Sequence, residues 1–279
     1  MLGAFVIGLI FGSFLNVCII RIPQGGSIVR PASRCPGCEQ PIRWYDNIPV
    51  LSWIVLRTHC RHCGMAISMQ YPAVELATGL WFATAIGISF QGITSILSLL
   101  SPIALLQSLS LCALGFLLIG LAVMDWQTQL LPDEFTLGGI FLGLVLIATQ
   151  SFFISSVEYK TFFTPEEILI GEHILAALGA YLLLVIIRFL YKRLRKRDGM
   201  GLGDAKLLAL IAIFLGFWPA IVALFVAVLT ASIYGIVLLL RGRASTTSRL
   251  PFGSFLAVAG LLTSLVGDRI IGWYTMLFR

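Results

Sequence analysis

Two aspartates, Asp125 and Asp204, stand where long apolar runs meet polar sequence. Four cysteines, Cys35, Cys38, Cys60 and Cys63, form two Cys-x-x-Cys pairs between the first two runs. Each set points to a chemistry. An ionisable group at the edge of a membrane span is costly to keep and is a functional candidate. Asp125 follows "GFLLIGLAVM" without a break, on the last turn of its run, where a negative charge opposes the helix dipole. Asp204 ends the stretch "GMGLGD" (199–204), just ahead of another apolar run. Gly199, Gly201 and Gly203 leave that backbone free for unusual dihedrals. Irregular backbone at membrane depth is tolerated beside protein or a wet cavity. Two carboxyls in contact cannot both ionise, so one would hold a proton while the other draws a proton from water. Such a dyad titrates as a pair. It can hydrolyse a peptide bond, one partner activating water and the other protonating the scissile carbonyl oxygen.

The other acids have plainer roles open to them. Asp133, with Glu134 beside it, follows Pro132 and precedes a run by one residue, the place for an N-cap; a supporting role in the site is the alternative. Glu75, in "YPAVEL", lies one turn into the second run, where an ion pair with Lys206 or Arg57 and a functional role both remain open.

Thiolates at i and i+3 in a tight turn put two sulfurs on one metal, and the 21 residues between Cys38 and Cys60 suit a second such turn. Four protein ligands would close the site, making zinc structural and not catalytic. A small insert has little core of its own, so the metal would supply much of its folding energy. The alternatives are four unrelated reduced thiols or a redox pair. His59 and His62 are placed to replace a sulfur or to stand as solvated neighbours, and Cys18 and Cys112 are packing residues of apolar helices.

The elements that must position these residues are membrane helices. Of 279 residues 58% are hydrophobic and 11% charged, with a mean hydropathy of +0.97, far from the quarter or so of charged residues in a soluble domain. The apolar runs cover 2–20, 72–90, 103–124, 135–154, 168–190, 207–240 and 252–266. The first has no basic segment before it, unlike a cleaved signal peptide. The sixth would rise about 50 Å as one helix against a hydrocarbon core of about 30 Å. Basic segments flank it on both sides, and basic short loops stay cytoplasmic, so it must cross twice with a turn near "GFWPA" (216–220). Each crossing is then short, which draws Asp204 below the surface. The result is an all-α polytopic membrane protein of about eight transmembrane helices, with a small cytoplasmic zinc-binding insert between the first and second. With the amino terminus outside, the inner segments 21–71, 125–134, 191–206 and 241–251 hold six, none, six and three of the 19 lysines and arginines. The chain divides into a first helix (1–22), the insert (23–71) and a membrane-embedded core (72–279). No aromatic–basic interleaving suggests nucleic-acid binding.

The motifs resemble those of the type IV prepilin peptidases, over nearly the whole chain. "GSFLNVCIIRIP" (12–23), "RCPGCEQPIRWYDNIPVLSW" (34–53), "CRHC" (60–63) and "YPAVEL" (71–76) are similar to that family's amino-terminal region. "MDWQTQLLPDEFT" (124–136) and "GMGLGDAK" (199–206) resemble its two aspartyl-protease motifs, the second being the GxGD signature of presenilin-like intramembrane proteases. The resemblance implies that Asp125 and Asp204 are the catalytic pair, with Lys206, Gly201, Gly203, Asp133 and Glu75 in support, and that the four cysteines bind zinc. It also implies two reactions in the bacterial inner membrane, serving type IV pili, type II secretion or DNA uptake. Prepilins or pseudopilins, each a basic leader followed by an apolar helix, are cut after a glycine, and the new amine is methylated from S-adenosylmethionine. For the methyl donor the sequence offers no Rossmann-type loop; the insert and "GSFLN" are candidate locations. The alternative from another class is a proton-coupled transporter, whose carboxylates would lie nearer mid-bilayer and whose halves would show repeats. The oligomeric state is not legible in the sequence.

Overall fold

The computed structural model describes residues 1–90, 101–155, 165–196, 201–242 and 250–277. Gly199 and the basic residues Lys160, Arg197, Arg243, Arg249 and Arg279 of the charge pattern lie outside them. Among the described residues there is no β-strand, and nine α-helices carry the fold. They are α1 (Leu2–Arg21), α2 (Leu51–Val55), α3 (Gln70–Ser89), α4 (Pro102–Thr128), α5 (Asp133–Ser155), α6 (Pro165–Arg195), α7 (Leu202–Leu215), α8 (Phe217–Leu240) and α9 (Phe252–Leu277). Short 3₁₀ turns at Ile22–Gln24 and Trp44–Asn47 belong to the connection from α1 to α3.

Six helices, α1, α3, α4, α5, α6 and α8, are long and apolar enough to cross a bilayer, so the chain is a multi-pass helical membrane protein. The apolar part of α9, Phe252–Gly267, and the 14-residue α7 are shorter. The long run expected to divide near 216–220 does divide. It breaks at Gly216, whose φ of 87° is a backbone that L side chains rarely adopt.

Beyond Lys206, α7 is apolar all round, the pattern of a helix enclosed by others. Leu207, Leu208, Leu210 and Ile211 are fully buried, and α4, α5, α6, α8 and α9 all pack against it. On the other side of α4, α1 and α3 make a second layer. There the contact relies on missing side chains. A Cβ at Gly8 would lie 2.7 Å from the Thr78 carbonyl oxygen, and one at Gly12 2.6 Å from Glu75 Cα. Small residues four apart let helix backbones approach closely in lipid. Trp81 of α3 fills the space over Gly115 of α4 and donates its indole N–H to Leu111 O at 2.8 Å. A Cβ at Gly115 would lie 1.9 Å from that nitrogen. Gly115→Ala is therefore expected to destabilise the bundle by about 1–3 kcal/mol, read as a lower Tm in detergent. Outward faces carry large apolar side chains such as Phe141, Phe152, Leu182, Phe225 and Ile236, as lipid contact requires.

Candidate active site

Asp125 lies in the last turn of α4 and is buried. The left-handed Gln129 (φ 53°) closes the helix there, its N–H bonding Asp125 O at 2.9 Å. The carboxylate escapes the unfavourable end of its own helix by facing the start of another. Asp125 Oδ2 accepts the backbone N–H of Ser254 at 2.6 Å and lies 3.0 Å from the Ser254 hydroxyl, which is also 2.8 Å from Ala122 O. Ser254 is the third residue of α9, so its N–H is one of the first-turn donors that a helix leaves without an internal partner. The positive end of α9 thus meets the anion. A Cβ at the preceding residue, Gly253, would come within 3.0 Å of Asp125 Cγ and of Leu131 Cδ1.

Asp204 is also buried, at the third position of α7. It is not the N-cap. Gly201 holds that position, and Asp204 Oδ2 reaches back to accept its N–H at 3.2 Å, the acidic half of a capping box. Gly201 and Gly203 do not serve the unusual dihedrals expected of them. Gly201 is in ordinary extended backbone (φ −74°, ψ 152°). Gly203 is required for contact, because a Cβ there would stand 3.0 Å from Leu131 Cβ. Leu131 therefore touches both Gly203, beside Asp204, and Gly253, beside Asp125. The two aspartates, 79 positions apart in the chain, come within electrostatic range of each other.

Two further expectations change. Asp133 is the first residue of α5 and caps nothing; Pro132 O accepts the first helical N–H groups, from Phe135 and Thr136. Its carboxylate instead holds Lys206 Nζ at 2.5 Å, a charge-assisted bond that outcompetes a neutral amide. Lys206 is thus taken, and Glu75 does not pair with it. Glu75 is buried in α3, where its Oε2 accepts the N–H of Val50 at 2.7 Å. Gly253 and Ser254 were not singled out from the sequence, although "LPFGS" (250–254) shows a proline and a glycine opening a helix with no acid in its first turn. Such a start is free to receive an acid from elsewhere. Gly253→Ala should press on Asp125 and Leu131 and lower the rate of any chemistry at Asp125 by about 10- to 100-fold, a strain of 1–3 kcal/mol. Ser254→Ala, which keeps the backbone N–H, is expected to be milder.

The four cysteines converge. Cys35, Cys38, Cys60 and Cys63 bring their sulfurs within 4.8 Å of one another, and Cys35 Sγ lies 3.7 Å from Cys63 Sγ. The histidines are not part of this cluster. The two knuckles are copies of one design. In each, the first cysteine's N–H bonds a carbonyl five residues on (Cys35 to Gln40 O, 3.0 Å; Cys60 to Met65 O, 2.8 Å). Its carbonyl accepts an N–H from four residues on, at Glu39 or Gly64, both at positive φ. Bridges Arg34–Pro41 and His59–Ala66 flank them. The N–H groups of Cys63 and His62 point at the Cys60 sulfur and bring that thiol down to about 6. The group is placed to hold a metal ion as thiolates. Arg61, between the last two cysteines, ties the knuckle to the rest of the insert through Asp46 at 2.6 Å, and its guanidinium holds that carboxyl below the ordinary carboxylate range.

Hydrogen bonds link both centres. Gln127, two residues past Asp125, donates to Gln70 Oε1 at 2.6 Å at the start of α3, and Asn16 Nδ2 near the end of α1 donates to Tyr71 O at 3.0 Å. The acids and the insert share one end of the bundle.

Two family profiles match the chain: the bacterial peptidase A24 N-terminal domain over residues 6–88 and the type IV leader peptidase family over residues 111–236. Curated relatives run almost end to end. A protein of Aeromonas salmonicida (strain A449) is 31% identical over 97% of this chain and 92% of its own length. One of Stutzerimonas stutzeri is 32% identical over 100% and 95%, and one of Burkholderia pseudomallei (strain 1026b) is 36% identical over 95% and 84%. All three bear the name prepilin leader peptidase/N-methyltransferase. No solved structure matches the chain significantly. With both profiles matched in order and relatives aligned across nearly its full length, the chain belongs to the type IV leader peptidase family.

Proposed function

We propose that this protein is a prepilin leader peptidase and N-methyltransferase of the bacterial inner membrane, with Asp125 and Asp204 as its catalytic aspartates. The observation that carries the peptidase half is the convergence of two buried carboxylates from α4 and α7, each held by N–H groups of a helix start. In the dyad chemistry one carboxylate takes a proton from water and the other gives one to the carbonyl oxygen of the scissile bond. Gly203, Gly253 and Leu131 shape the space between them, and the Asp133–Lys206 pair fixes α5 against the start of α7. The membrane core 72–279 is the peptidase in this reading, and 1–22 with 23–71 serve methyl transfer.

Eight crossings, with the amino terminus periplasmic, are the reading that the charge pattern and the break at Gly216 support. They put both acids at the cytoplasmic face, where a basic leader stays while its apolar helix lies in lipid. Labelling that found 125–134 outside the cell would overturn this orientation. Zinc suits the cysteine cluster. A tetrahedron with zinc–sulfur bonds of about 2.3 Å has edges of about 3.8 Å, close to the 3.7 Å between Cys35 and Cys63. Zinc there would tie the knuckles together. The methyl donor, S-adenosylmethionine, would supply the methyl group. Nothing favours the transporter reading.

The test is incubation of purified protein in detergent with a prepilin peptide, with and without S-adenosylmethionine, followed by mass spectrometry. Loss of the leader in both arms, and one added methyl group on the new terminus in the second alone, is the expected result. An intact peptide in both arms would refute the proposal.

A further inference from the structure

A cavity of about 530 Å³ opens between α1, the insert and the start of α3, within the size range of small-ligand sites. Its lining holds groups that the protein leaves uncompensated. Glu75, 7% exposed, brings a carboxylate to it that is held by the Val50 N–H and the Ser13 hydroxyl, and no ion pair reaches it among the described residues. A buried charge without a counter-charge is expensive. Of these two donors Val50 is a β-branched residue at φ 61°, and such backbone strain gathers at ligand clamps. Asn16, 2% exposed, also lines the cavity; its amide donates to Tyr71 O while its carboxamide oxygen has no donor among the described residues. Trp53 and Tyr71 add aromatic walls. Arg21 completes the set with a guanidinium of which one N–H is used, on Ser27 O at 3.0 Å. The close approach at Gly12, opposite Glu75 Cα, makes the arrangement possible.

A matching ligand carries a positive charge for the carboxylate, an N–H for Asn16, a planar ring for the aromatic wall and a carboxylate for Arg21. S-adenosylmethionine has all four. We propose that this cavity binds the methyl donor, with the Glu75 carboxylate opposite its sulfonium and the Asn16 carboxamide oxygen accepting an N–H. The assignment rests on the methyltransferase reading given above. The knuckle residues Cys35 and Cys60 also line the cavity, so the metal site braces one wall. The candidate peptidase aspartates are not among its lining residues, which makes the two sites separate.

The test exploits charge. S-adenosylhomocysteine has the donor's shape but a neutral thioether in place of the sulfonium. Equilibrium binding of both ligands to the purified full-length protein is measured for wild type, Glu75→Gln and Ala66→Trp, with metal content as the check that each variant is folded. Glu75→Gln should weaken S-adenosylmethionine by at least about tenfold and S-adenosylhomocysteine far less, since only the former loses a counter-charge in a low-dielectric site. Ala66→Trp, at a lining position on the insert, should exclude both ligands. Unchanged binding of both ligands to the folded Ala66→Trp protein, or equal losses of the two in Glu75→Gln, would overturn the proposal. Wild-type methylation of a precut peptide is followed in parallel. Its failure would instead bring down the methyltransferase reading itself.

Discussion

Asp125→Asn and Asp204→Asn, each alone, are expected to lower leader cleavage by about 10³-fold or more while the protein still inserts and folds. The size follows from the role. A positioned acid or base contributes about 10²–10⁴-fold, and neither partner can do the other's task as well as its own. The clean reading follows from the geometry. Asp125 Oδ2 takes an N–H and faces a hydroxyl, and Asp204 Oδ2 takes one N–H. An asparagine oxygen can accept the same bonds from the same places, so each substitution removes proton transfer and leaves the local scaffold intact. Folding is checked by metal content and by methylation of a precut peptide, which the distinct cavity between α1 and α3 should still support. Cleavage within tenfold of wild type in either single variant would rule out a two-aspartate mechanism.

Much of the fold was legible because lipid constrains a chain more than water does. Apolar runs, the break within 207–240 and the cysteine knuckles were all open to view, since length, charge and spacing fix them. The central place of α7 was half legible: its shortness was evident, its burial on every side was not. What stayed hidden depended on contacts between distant segments. Gly253 and Ser254 look ordinary until α9 is seen to start against Asp125. Gly8 and Gly12 look like background glycines in an apolar helix until α3 lies on them. Gly201 and Gly203 invited an argument from backbone freedom, but an extended φ at the one and a leucine against the other give different reasons. Charge alone left Glu75 either Lys206 or Arg57 as a partner beside a functional role, whereas Asp133 reaches the lysine and a strained turn at Val50 reaches the glutamate. Opposite charge predicts that partners exist and says little about which ones meet.

Cys35→Ser or Cys60→Ser should separate the two reactions. Between residues 23 and 71 only Cys35 is buried, so the insert has no apolar core to fold around. Its order rests on two knuckle turns, the Asp46–Arg61 pair and whatever the four sulfurs hold. A structural zinc ion contributes on the order of 10 kcal/mol to such a unit, more than those surface contacts can replace. Loss of one thiolate is therefore expected to empty the site, measured as metal per protein, and to open the insert to protease between 23 and 71. The cavity beside Glu75 loses a wall with it, so donor binding and methyl transfer should fall together. Asp125 and Asp204 are held by α4, α7 and α9, whose mutual packing does not pass through the insert. Leader cleavage should accordingly survive within about tenfold, a barrier change of no more than about 1.4 kcal/mol. Equal collapse of cutting and methylation in a metal-free variant would mean that the insert supports the membrane core as a whole. Full methylation without metal would show that the sulfurs are bystanders.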